Sequence, residues 1–400
     1  MRNHKKTILY ILLIILIIWQ LIVAIIQGGD LESYLRASKR IIENEPLYVQ
    51  EVVAYIYPPL LAFILIPLTL IPPYIVKVIW FFLNIFLIYL SFKLLLNTID
   101  QKNINIFSLS FFSIFFTLRF FMDNSNLGQI NIVILFLCGL TLYFFTLRKD
   151  FLAGIFLASA IVIKVTPIFL LFYFVFKREF KLSFYTLSSL IFFLLIPSLS
   201  LGFTGNIDAL IQYKDIVQNI YDSTHLNQSL YNTIIHFLSP VPLWNDMKIN
   251  IANLSEYQIK KVIYTIFGII SIIFAFIFRK KIKRDDANIL LEYSMVIVLM
   301  LLFSPVSRKA HFVILLIPHF FYLYFLLEFK TFRYRKLALI ILITSFVLNT
   351  LTVEGVMGRD PSDFMESYSC VTFGTITLLI GLVLLHSKKF TFFEKVNTSL

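Results

Sequence analysis

Asp30 is the residue best placed for chemistry. It follows the apolar run 8–26 and opens the segment Gly29-Asp30-Leu31-Glu32-Ser33-Tyr34. A carboxylate beside a low-dielectric wall has a raised proton affinity unless a cation lies close, so it can serve as a general base. The same residue can instead cap a helix over 31–44, and its chemistry alone leaves both roles open. Lys164, in Lys164-Val165-Thr166-Pro167, puts an ammonium within an apolar stretch. A charge there is costly and marks a functional candidate, here a grip on a lipid-linked phosphate. Arg119 admits the same reading or simple snorkelling to an interface. Ser304-Pro305-Val306-Ser307-Arg308-Lys309-Ala310-His311 gathers three potential cations, Arg308, Lys309 and His311, able to stabilise a phosphate leaving group.

Two segments are dense in amides. Asp123-Asn124-Ser125-Asn126-Leu127-Gly128-Gln129-Ile130-Asn131 offers Asn126, Gln129 and Asn131, and Asn227-Gln228-Ser229-Leu230 offers Asn227, Gln228 and Ser229. Such side chains supply the paired donors and acceptors that sugar hydroxyls need, and they suit polar turns and helix caps equally well. No Walker A loop, zinc spacing or Gly-x-Ser-x-Gly elbow occurs, so ATP-driven pumping is not expected. The outer carboxylates Asp30, Glu32, Asp123, Asp360 and Asp363 lack ligand spacing, so neither a metal nor a cofactor is expected. Cys138 and Cys370 sit in apolar runs and are read as packing residues.

The elements that carry these residues are set by composition. With 59% hydrophobic and 14% charged residues, the chain is far from a soluble domain, in which roughly 25% of residues are charged. Apolar runs recur from end to end, many near the ~20 residues that cross a bilayer. The expected fold is an all-α polytopic bundle in a single domain, 1–400, with a motif-bearing core over 27–320. Spans are placed at 8–26, 73–96, 104–121, 130–147, 151–163, 165–176, 182–200, 260–278, 288–303, 312–328, 337–353 and 369–386, the last two following the core. Splitting 151–176 at Pro167 keeps the later basic loops on one side. The Pro-rich stretch 58–72 reads as an interfacial or re-entrant helix in the first outer loop.

The net charge of +12 lies in short runs such as Arg279-Lys280-Lys281 between spans. That pattern reports topology and excludes an extended nucleic-acid face. It implies a multi-pass cell-membrane protein with both termini cytoplasmic. Asp30–Tyr57, 123–131, 202–257, 304–311, 354–367 and the Lys164 tip then share the extracytoplasmic side, where one cavity is expected.

In order, these residues resemble glycosyltransferase family 87 of the GT-C superfamily. The resemblance rests on Asp30-Leu31 with Tyr34 and Ala37, Pro46 and Tyr48, Tyr57-Pro58-Pro59-Leu60 with Pro67 and Pro72, Asn126-Leu127-Gly128-Gln129 with Asn131, Lys164 with Pro167, Asn227-Gln228-Ser229-Leu230, and Ser304-Pro305 with His311. It implies a GT-C-like bundle and a polyprenyl-phosphate-linked sugar, often mannose, as donor. The acceptor is a glycan or glycolipid outside the membrane. Asp30 takes the place of the family's first-loop catalytic Asp, and transfer inverts the anomeric carbon. Lys164 and His311, with Arg308 and Lys309, are expected to hold the phosphate. Tyr34, Tyr57 and the amides named above are expected to meet sugar or acceptor. The family usually shows an aromatic residue, an acidic residue and paired His after Ser304-Pro305-Val306-Ser307. Here Arg308, Lys309 and Ala310 leave only His311, and the added positive charge suits a phosphate or an anionic acceptor. The alternatives are a flippase or transporter for a lipid-linked glycan, and an O-antigen-type polymerase or ligase. A carrier predicts broken helices in both halves; one broken pair is evident, at 151–176.

Overall fold

In the computed structural model the described residues are 15–386, apart from 102–103, 220–221, 282, 285 and 330–332. They form helices α1 Ile15–Ile26, α2 Gly29–Glu43, α3 Pro59–Ile64, α4 Pro73–Leu96, α5 Ile106–Leu127, α6 Asn131–Thr146, α7 Asp150–Ile163, α8 Ile168–Phe176 and α9 Phe180–Leu195. The second half contributes α10 Ser198–Asn219, α11 Leu230–Leu238, α12 Glu256–Phe278, α13 Asn288–Phe303, α14 Leu316–Glu328, α15 Arg335–Phe346, α16 Glu354–Met357, α17 Arg359–Ser367 and α18 Cys370–His386. No strand occurs among the described residues, only an isolated antiparallel bridge between Asn227 and Arg308.

The all-helical class expected from composition is present. Four segments, α4, α5, α12 and Lys309–Glu328, are long and apolar enough to cross a membrane, or seven if three bent pairs each count as one. Twelve such spans are not recovered, because α6, α7 and α13 have fewer than 18 residues. The first expected span begins, and both chain ends lie, outside the described residues. α13 and α14 are mostly apolar and buried nearly throughout, so the other helices pack about them, and Lys177 pairs with the one buried carboxylate on α13, Glu292, at 2.8 Å.

The chain breaks where the residues demand it. Pro167 ends the run 151–176, giving α7 and α8 with Lys164 as an extended residue between them, φ −148° and ψ 121°. The Pro-rich stretch folds as α3 and a 3-10 turn, Ile66–Leu70. Three segments expected as loops are partly helical. Residues 123–127 continue α5, 202–219 continue α10 beyond a kink at Gly202, and 354–367 hold α16 and α17. Asp123, Asn124 and Asn126 are polar, yet α5 carries them in its last turns, where Asn124 Nδ2 donates to Gln129 O at 3.1 Å and Asn126 accepts from Gln20.

Gly128 sets the entrance to the site. It follows α5 at φ 69°, and the amides of Gly128 and Gln129 close back on the carbonyls of Ser125 and Asn124 at 3.1 and 3.0 Å. This is the left-handed cap that glycine adopts freely. A Cβ at this position would stand 2.9 Å from Leu31 Cβ, so the end of α5 presses directly on the start of α2. Gly28 N donates to Asn126 O at 2.9 Å and fixes the same contact from the other side. Gly128→Ala is therefore expected to cost about 1–3 kcal/mol. The loss should read as a lower melting temperature in detergent, together with slower turnover.

Candidate active site

α2 leaves the first helix at a bend of 46° and carries Asp30 in its opening turn. Gly28 is the N-cap residue and no side chain caps the helix, so Asp30 does not fill the capping role open to it from sequence. Its Oδ2 accepts a hydrogen bond from Gln129 Nε2 at 2.6 Å. Gln129 Oε1 in turn accepts from Asn131 Nδ2 at 2.6 Å, and Asn131 Oδ1 accepts from Lys164 Nζ at 2.6 Å. A continuous hydrogen-bonded path thus joins the carboxylate at one end to the ammonium at the other. Burial pushes the proton affinity of Asp30 above that of an ordinary carboxylate, while the Gln129 hydrogen bond and the charges of Arg308 and Lys164 oppose the rise.

Tyr34 and Tyr57 wall this path. Their rings meet edge to face with centroids 5.1 Å apart, and Lys164 Nζ stands 5.9 Å from the centre of the Tyr57 ring. Beyond Lys164 opens a small cleft, about 300 Å³ including the part open to solvent. Asn131, Lys164, Thr166, Ser304, Ser307 and His311 supply its polar lining, with Ile134, Met300, Leu301 and Ile314 between them. Asp30 and His311, 281 positions apart by their numbers, therefore lie at two ends of one assembly.

The three basic side chains after Ser307 part company. His311 faces the cleft. Arg308 is half exposed and pairs with Asp222 at 2.9 Å, yet lies close enough for its charge to act on Asp30. Lys309 turns away to Glu366, 2.9 Å distant. Glu366 is also the partner of Arg119, which neither snorkels nor faces the cleft but is buried, donating to Asn349 O at 3.1 Å and Thr352 Oγ1 at 2.9 Å.

Asn227, Gln228 and Ser229 are buried and occupied elsewhere. Asn227 Nδ2 donates to Pro305 O at 3.0 Å and its Oδ1 accepts from Ser307 N at 2.9 Å. Gln228 Nε2 donates to Glu366 O at 2.8 Å and its Oε1 accepts from Val371 N at 3.2 Å. Ser229 Oγ caps α11, accepting from Asn232 N at 3.0 Å. The segment clamps α11 to the 304–308 turn and to the start of α18, behind the cleft wall. Asn126 likewise serves the α1–α2 corner, accepting from Gln20 through its side chain and from Gly28 through its backbone.

The family model for glycosyltransferase family 87 matches residues 55–305, well over half of the chain. The chain belongs to glycosyltransferase family 87. No curated protein sequence matches it. The family 87 match spans Tyr57, the amide turn, Lys164 and the Asn227–Ser229 clamp, while Asp30, Tyr34 and His311 lie outside its limits. The structure brings those three onto the matched part. A membrane glycosyltransferase must seat an activated sugar and an acceptor side by side, and the cleft lies next to a carboxylate and a lysine joined through two amides.

Thr166, Asp222 and Glu366 join the site or its support without having been singled out from sequence. Only Glu366 left a signal: an Arg at position 119 within an apolar helix requires an acidic partner. His225, Asp363 and Glu366 bring ligand atoms within 4.8 Å of one another. Glu366 there already faces two cations, so a divalent ion would meet Arg119 and Lys309 at close range.

Proposed function

We propose that this family 87 enzyme transfers a hexosyl residue, mannose being the first to try, from a polyprenyl phosphate to a glycan or glycolipid acceptor, with inversion. The observation that carries the reading is the junction of Asp30, through two amides, to the cation that opens the cleft. Asp30 Oδ1 takes the proton of the acceptor hydroxyl as that oxygen bonds to the anomeric carbon. The bond from that carbon to the phosphate oxygen breaks, and its electron pair leaves on the lipid phosphate. Lys164 and His311 meet the charge that develops there, with Arg308 adding its field from the rim. Tyr34 and Tyr57 form the wall against which the sugar lies. Two-ended separation of proton acceptor and phosphate grip is what single-displacement chemistry requires.

In the same reading the chain forms a bundle of about twelve membrane helices, with 151–163 and 165–176 as two short helices whose Lys164 tip stays within the membrane's depth, and α2 to Leu70 lies in the outer interface. The basic runs between spans support cytoplasmic loops, and the cleft then opens on the extracytoplasmic face. Residues 1–14 and 387–400, placed in the cytoplasm by that scheme, are outside the described part.

Purified enzyme incubated with polyprenyl-phosphate hexoses and a panel of acceptors should release polyprenyl phosphate and yield a product of opposite anomeric configuration. Because Asp30 works ionised and its proton affinity is raised, activity should fall with acidification at a pH above the ordinary aspartate value of about 3.9. Turnover with nucleotide sugars alone, or retained configuration, would overturn the proposal.

A further inference from the structure

Gln129 and Asn131 are committed to each other and to the two charged groups at either end. Their side chains are 6% and 4% exposed as residues, and each of their four amide heavy atoms already has a partner in the path from Asp30 to Lys164. The direction of that path is fixed by its ends. An ionised carboxylate only accepts and an ammonium only donates, so Gln129 must turn its NH2 toward Asp30 and Asn131 must turn its oxygen toward Lys164. Between them a single donor–acceptor orientation remains, in which every link has the same sense. Bonds in such a chain polarise one another, so breaking one link weakens the rest.

Resting on the base-and-phosphate-grip reading above, we propose that Gln129 and Asn131 are positioning residues. They couple Asp30 to Lys164, so that the proton acceptor and the phosphate cation are held as one unit. Gln129 holds Oδ2 of Asp30 and thereby presents Oδ1 to the acceptor hydroxyl. Asn131 anchors Lys164 at the mouth of the cleft, where the lipid phosphate arrives. When Lys164 is drawn toward that phosphate, the shift passes through both amides to the carboxylate. The backbone prepares this arrangement: the Gly128 turn delivers Gln129, and the first residue of α6 delivers Asn131 two positions later.

The test is a double-mutant cycle in steady-state kinetics with polyprenyl-phosphate hexose and acceptor. Gln129→Leu and Asn131→Leu should each lower kcat about 10- to 100-fold, the scale of a small misplacement of reacting groups. The acceptor KM should stay within about twofold, since no sugar contact is lost, and the double variant should be no worse than the poorer single. Asn131→Asp keeps the size of the side chain but removes the donor that Gln129 Oε1 needs, and it should fall as far as Asn131→Leu. This isosteric variant decides the matter where a leucine variant fails to fold. A rise in acceptor KM with additive losses would make the two amides sugar contacts and overturn the proposal, as would wild-type kcat in Asn131→Asp. If Asp30→Asn is inactive while the amide variants match wild type, the coupling falls and the base survives. If Asp30→Asn turns over normally, the underlying reading falls instead.

Discussion

Asp30→Asn is expected to release polyprenyl phosphate at least about 10²-fold more slowly than wild type, the scale of a lost general base. Asparagine has the same shape, and its carbonyl oxygen can still accept from Gln129 Nε2 where Asp30 Oδ2 does so at 2.6 Å. Basicity is removed while the amide path stays in place. The structural consequence is small: the carboxylate lies in the first turn of α2, where its interaction with the helix dipole is worth about 0.3–1 kcal/mol. Melting temperature and donor KM should therefore hold while kcat falls. Asp30→Ala, which also frees Gln129, should be at least as slow and less stable. Turnover by Asp30→Asn equal to wild type would assign the base elsewhere, and a collapse of stability without change in kcat would make Asp30 a structural residue.

How far the fold and site could be read in advance depends on whether the deciding interaction is local. The break after Lys164 was legible because proline at 167 cannot continue a helix, whatever surrounds it. The all-helical class with apolar spans was legible for the same reason, since hydrophobicity acts residue by residue. The turn at Gly128 was only half legible. Its glycine signals a left-handed cap, but the contact with Leu31 that gives the turn its purpose joins positions nearly a hundred residues apart. Asn227, Gln228 and Ser229 show the limit most plainly. An amide binds a sugar hydroxyl and a backbone carbonyl with the same atoms, so composition identifies a polar segment without saying that Pro305, Ser307 and Val371 are its partners. The run Arg308-Lys309-Ala310-His311 reads as one cationic cluster. Its chain path, extended at Arg308 and then a 3-10 turn over Lys309–Leu315, sends successive side chains to different sides.

That separation makes Glu366 the most consequential support residue. Its side chain is fully buried, and so nearly is that of Arg119, at 0% and 1% exposed. Lys309 Nζ reaches the same Oε1 at 2.9 Å from a partly exposed position. Two cations thus depend on one carboxylate, with the Asp123 side chain near enough to feel all three charges. Glu366→Ala is expected to destabilise the protein by about 3–5 kcal/mol, because removing one member of a buried pair leaves the other uncompensated. Glu366→Gln preserves shape and some hydrogen bonding yet strands the same cations, so it should lose most of that amount as well. The combined change Arg119→Met, Lys309→Met and Glu366→Met removes the charges together and should recover much of the stability, as replacement of a buried ion cluster by packed apolar groups often does. Thermal unfolding in a fixed detergent compares the variants. Since His311 lies two residues beyond Lys309, a loosened Glu366 contact also frees the cleft wall, and donor KM should rise in the single variants before they unfold. A loss below about 1 kcal/mol in Glu366→Ala, the range of a surface pair, would mean that water reaches the cluster and that the 304–311 turn is held by the Asn227 clamp alone.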